Sequence, residues 1–147
     1  MMKTRIALVV TASLVILVAL VTFFAQDQEP AQVFPAKVNR DCAPWDGSAF
    51  TVKIPRNNGT IIDISIWQSP EIKLPVTFSF PDDLGQVGNA ILIHPVGLPE
   101  QLTGTAFFWR VDQSSPVEGR FDFTSENGEQ FQGRFEAEWM NEIVMCG

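Results

Sequence analysis

Tyrosine is missing from all 147 residues, histidine occurs once and cysteine twice. Each scarcity narrows the chemistry. A single His94 gives no imidazole cluster for a metal, and Cys42 and Cys146 have no neighbouring Cys or His at ligand spacing. No G-x-S-x-G stretch is present to mark a nucleophile elbow. Basic residues are few as well, 10 Lys and Arg against 17 Asp and Glu, and such a surface repels phosphate backbones, which argues against a nucleic-acid partner.

Long apolar runs are absent except at the start. Ile6 to Ala25 is 20 residues without charge, Gly or Pro, enough for a helix of roughly 30 Å, the thickness of a bilayer's hydrocarbon core. Lys3 and Arg5 precede it and acids follow, so the bias in basic residues places the N-terminus in the cytoplasm and the rest of the chain outside. The run exceeds the usual apolar stretch of a cleavable signal, and bulky Phe23 stands near the one small-residue site, at Ala25. A retained signal anchor at residues 1–25, with membrane lipid around 6–25, is the favoured expectation; cleavage, giving a secreted domain, is the alternative.

Residues 26–40 are polar with prolines at 30 and 35, and read as a tether. From 41 to 147 the pattern becomes short alternating segments separated by Pro, Gly, Asn and Asp, with no amphipathic helix beyond a turn or two. The expected fold class is therefore all-β: one antiparallel β-sandwich of about seven strands after one N-terminal transmembrane helix. Outside the cell an even pair of cysteines in a small domain predicts a Cys42–Cys146 disulfide. In the chain-entropy model a closed loop of about 100 residues is worth something like 4 to 5 kcal/mol.

The stretch RFDFTSENGEQFQGRFEAEW, Arg120 to Trp139, holds a turn rich in acids. Calcium fails as an explanation: with Gly128 at position 6 of an EF-hand loop Phe123 falls at position 1, and with Asp122 at position 1 Gly133 falls at position 12. A two-residue Asn127-Gly128 turn fails by parity, since it sets Phe123 against Gln132. The three-residue loop Glu126-Asn127-Gly128 sets Phe123 against Phe131 and puts Gly where a left-handed residue is needed, at the cost of Arg120 facing Arg134. A register moved by two residues relieves that repulsion but takes Gly128 off the left-handed position, so the first is favoured.

Candidate chemistry is sparse. His94 reads as a strand-end residue; Glu136 and Glu138 alternate with apolar neighbours as a solvated face, and Asp82-Asp83 reads as a turn. A carboxylate-dependent hydrolase drawing on these or on Asp46 is the weakest reading, because it needs two carboxyls flanking a sugar in a cleft. Trp109 and Trp139, in phase with apolar neighbours, are assigned to the core. Trp45, three residues after Cys42, and Trp67, out of phase with Ile62, Ile64 and Ile66, are the candidate contacts for a ligand or partner. Asn58-Gly59-Thr60 matches a glycosylation sequon but lies where a turn is expected. No catalytic residue, metal site or cofactor is assigned. The expected function is a non-catalytic interaction or accessory module with a protein partner, such as a small subunit of a membrane assembly; a small-ligand or glycan-binding domain, secreted or anchored, is the alternative.

Overall fold

The computed structural model describes residues 32–68, 73–82, 85–141 and 143–146. The expected transmembrane segment and the start of the tether lie outside the described residues. Nine strands follow one another: β1 (Val33–Cys42), β2 (Ser48–Pro55), β3 (Ile61–Ile66), β4 (Val76–Phe80), β5 (Gly88–Ile93), β6 (Glu100–Gln101), β7 (Thr103–Arg110), β8 (Val117–Thr124) and β9 (Gln130–Trp139). The described residues contain no helix, so the all-β expectation holds for them.

The seven-stranded antiparallel sandwich does not. All nine strands belong to one sheet in the order β4-β7-β8-β9-β1-β2-β3-β5-β6, and it is mixed because β1 runs parallel to β9. One of the nine strands, β1, takes up much of the expected tether. Residues 33–40 belong to β1 rather than to a tether, with Phe34, Ala36 and Val38 turned toward the core. Pro35 is tolerated because the β1–β2 ladder starts only at Lys37–Lys53, beyond the point where Pro35 and Pro55 would meet with no N–H between them.

Curling replaces the second sheet. β2 and β7 are four steps apart in the order, about 19 Å in a flat sheet, yet the rings of Phe50 and Phe108 meet edge to face at 5.7 Å. The β2–β3 side supplies branched aliphatics and the β4-β7-β8-β9 side supplies phenyl rings such as Phe108 and Phe135, whose centroids are 5.6 Å apart. Eight of the 12 phenylalanines are buried here. The absence of tyrosine fits such a core, since each buried phenol would need a hydrogen-bond partner.

The Arg120 to Trp139 hairpin has the favoured register, with Phe123 opposite Phe131 and Arg120 opposite Arg134. The like charges are accommodated because Arg120 lies 5.0 Å over Phe107 and Arg134 lies 5.0 Å over Trp109. These rings are therefore on the outer face of β7, and Ala106 and Phe108 fill the inner one. The expectation that Trp109 is a core residue is corrected accordingly; Trp139 does pack against the core.

Parallel pairing of β1 with β9 is possible only where the backbones admit a ring. A Cβ at Gly133 of β9 would stand 2.5 Å from Cε2 of Phe34 and 3.3 Å from Cζ of Phe121. Glycine at 133 is thus the space that Phe34 occupies. Gly133→Val is expected to lower stability by about 1–3 kcal/mol through overpacking, read as a drop in the urea midpoint of unfolding. An unchanged midpoint would contradict this packing of Phe34.

Candidate functional site at the Trp45 end of the sheet

Three hairpins among the described residues use one turn design. In each, the N–H of the first residue reaches the carbonyl of the fifth, and the N–H of the fourth reaches the carbonyl of the first: Ala43–Gly47, Arg56–Thr60 and Ser125–Glu129. The fourth residue is left-handed in all three, Asp46 at φ 63°, Gly59 at 82° and Gly128 at 84°. Glycine adopts that conformation freely, whereas a residue with a Cβ is strained there, Asp and Asn least.

The middle residue differs in a parallel way. Asn58 and Asn127 each accept an N–H two residues on, from Thr60 and Glu129, at 3.1 Å. Such local bonds are why Asn suits turns. In the first loop the corresponding residue is Trp45, which can make no such bond and is 53% exposed. That loop departs from the favoured turn chemistry at both positions.

Trp67 meets it there. It follows β3 on the outer face, opposite in phase to buried Ile62, Ile64 and Ile66, and its N–H is held by the carbonyl of Val87. The two indoles pack edge to face with centroids 6.0 Å apart. The residues singled out from sequence are therefore neighbours. Beside them Cys42 is bonded to Cys146, as expected, and the bond carries the chain's last residues back to the end of β1.

An open pocket of about 300 Å³ lies on the outer face of β1, β2 and β3, at the small end of the range for small-molecule sites. Val144 forms part of one wall, with Asp41, Thr51, Lys53, Asp63 and Ser65 among the polar lining. Thr51 Oγ1 lies 2.9 Å from Asp41 Oδ2 and 3.0 Å from Ser65 Oγ, and Ser65 Oγ lies 3.3 Å from Asp63 Oδ1. Thr51 and Asp63 are 4% and 7% exposed. Burial raises the Asp63 carboxyl above its ordinary pKa, against the opposing pull of Lys53 and the Ser65 bond.

Sequence reasoning missed this row because Thr51, Asp63 and Ser65 occupy outward strand positions, which read as a solvated face. The other candidates lie apart from it. His94 stands 3.4 Å from Glu100, whose other oxygen accepts the Glu126 N–H. Glu136 and Glu138 are exposed on β9, and Asp82 accepts the N–H of Gln86 in a turn; Asp83 lies outside the described residues. No family model matches the chain, and no curated protein or solved structure matches it either.

The sign of the Asp63 effect is opposite to that of a carboxylate stabilised by a partner. Its pKa is raised in the folded state from an ordinary 3.8, so the folded protein keeps a proton that the unfolded chain releases. Stability contributed by this group is present below 3.8 and is lost as pH rises through the raised value. Urea unfolding of wild type and Asp63→Asn across that window is expected to show the variant gaining relative to wild type as pH rises, then levelling. A constant difference would contradict the burial of this carboxyl.

Proposed function

We propose that this protein is a non-catalytic interaction or accessory module displayed outside a membrane, anchored through residues 6–25, with the Trp45–Trp67 end as its contact surface. The observation that carries this reading is the first hairpin loop, where an exposed indole and a strained Asp46 stand in the places that Asn and Gly hold in the other two. A sequence that can build the relaxed turn elsewhere has a reason other than folding to depart from it here. Tryptophan is the residue most enriched among energetic anchors of interfaces. The loop also lies at the end of β1 opposite to its first residue, about 30 Å away along a ten-residue strand.

A non-catalytic role is supported by the surroundings of the acids. Glu136 and Glu138 alternate with buried Phe135 and Ala137 along an exposed face, and His94 is engaged with Glu100 in a different part of the sheet. A partner chain in a membrane assembly is the occupant this surface suits. Native mass spectra of the full chain, extracted from its own membrane in mild detergent without reductant, are expected to retain residues 1–25 and to show associated chains. Trp45→Ala is expected to abolish that association while leaving the unfolding midpoint within about 0.5 kcal/mol of wild type. A lone species beginning near Gln26, unaltered by the substitution, would overturn the proposal.

A further inference from the structure

The loop between β5 and β6 ends in an apolar tip that faces solvent. It reads Pro95-Val96-Gly97-Leu98-Pro99, five residues without a polar side chain, and all five are exposed. Val96 and Leu98 are 90% and 86% exposed, so neither packs against the fold. The foot of the loop, in contrast, is fixed. Glu100 pairs with Leu92 in the β5–β6 ladder, one of its oxygens lies 3.4 Å from His94, and the other accepts the Glu126 N–H at 2.6 Å. A held foot and two flanking prolines project the aliphatic side chains outward.

This tip stands at the end of the sheet where β1 begins. Pro55 pairs with Ile61 and Ile61 with Ile93, so the end of β2, the start of β3 and the end of β5 are level. β1 runs antiparallel to β2 through Lys37–Lys53, which puts its first residues at the same end. A Cβ at Gly59 would stand 3.2 Å from Cγ of Pro95, so the β2–β3 turn lies against the loop, and Arg56 of that turn is 3.8 Å from Glu129 of the β8–β9 turn. Cys42 and the Trp45 loop are at the other end of β1. Eight steps of chain separate Ala25, the last residue of the apolar run, from Val33, and fully extended they reach no more than about 28 Å. An anchor in residues 6–25 therefore keeps the end of the sheet that carries Val96 and Leu98 within that distance of the hydrocarbon core.

The chemistry of the tip selects a lipid surface. Five residues are few for a protein partner, since a stable interface takes roughly 20–30 a side. Around the tip, Glu100, Glu126 and Glu129 stand with Arg56 and His94, a balance that does not attract anionic headgroups. Two aliphatic side chains without a basic rim gain by leaving water for the boundary of a neutral bilayer. Such a contact is weak for a free domain, but a short tether makes it intramolecular and raises its effective concentration. We infer that Val96 and Leu98 form a second membrane contact, seating the β5–β6 loop in the surface of a zwitterionic bilayer and holding the Trp45 end away from it. The inference rests on the proposed anchor at residues 6–25, and it adds an orientation that a tether alone does not set.

The native tryptophans supply the control for a test. Trp45 and Trp67 lie at the far end of the sheet, and Trp109 is six residues along β7 from Thr103, which pairs with Thr124 beside the β8–β9 turn. Trp139 is the last residue of β9, whose first residues lie at the near end. The full chain, wild type or Leu98→Trp, is reconstituted in phosphatidylcholine vesicles with and without bromine on the upper acyl chains, and tryptophan emission is compared. The share of emission lost on bromination is expected to exceed that of wild type by about one fifth, one indole in five. Adding Val96→Asp to Leu98→Trp is expected to remove this excess, with unchanged far-ultraviolet circular dichroism; an excess that persists would show the introduced indole, not the native loop, making the contact, and would overturn the inference. Flotation of the same vesicles separates the two readings. A chain that floats with the vesicles but shows no excess quenching overturns the loop contact and leaves the anchor standing, whereas a chain that does not float overturns both.

Discussion

The parallel ladder between β1 and β9 holds the architecture together. It joins β2, β3, β5 and β6 to β4, β7 and β8, and it pairs the first of the described strands with the last. A pairing of such long sequence separation costs loop-closure entropy before any contact repays it. The Cys42–Cys146 bond ties the last residue of β1 to the segment after β9, across a sequence separation of 104, and so reduces that cost in the unfolded state. The same bond has a second consequence in the folded state. It brings Val144 to the rim of the polar pocket on the outer face of β1 to β3, which Thr51 and Asp63 also line.

Stability and display are separable in this fold because the three like hairpins act as internal controls. At Asn58-Gly59 and Asn127-Gly128 the residues match what the turn needs. At Trp45-Asp46 they do not, and the departure coincides with an exposed indole, a second tryptophan, a polar cavity and the disulfide. No other turn of the set gathers such features. The candidate site follows from this coincidence of local strain with surface chemistry.

Local constraints were legible in the sequence and non-local ones were not. The register of the β8–β9 hairpin followed from parity, because a shift of one residue would set Phe123 against Gln132 across the sheet. The disulfide followed from compartment and count, and Trp67 stood out because it breaks the phase of Ile62, Ile64 and Ile66. β1 was hidden by Pro35, whose missing donor matters little where the β1–β2 ladder has not yet begun. The parallel ladder leaves no mark in either segment alone. Trp109 looked like core because arginine cover on an outer face is invisible in the alternation of one strand. The Thr51–Ser65–Asp63 row was hidden for the same reason, since its hydrogen bonds run between neighbouring strands and to Asp41 of β1.

The central claim is that the first hairpin loop is shaped for what it presents rather than for its own stability. Replacing Trp45-Asp46 by the Asn-Gly pair of the other two loops tests it most directly, through urea unfolding of the full chain in mild detergent. The account predicts that the double variant gains stability, by about 0.5–1 kcal/mol from relief of the left-handed Asp and recovery of the turn's own bond. A loss of stability would show that Trp45 and Asp46 serve the fold, and would contradict the account.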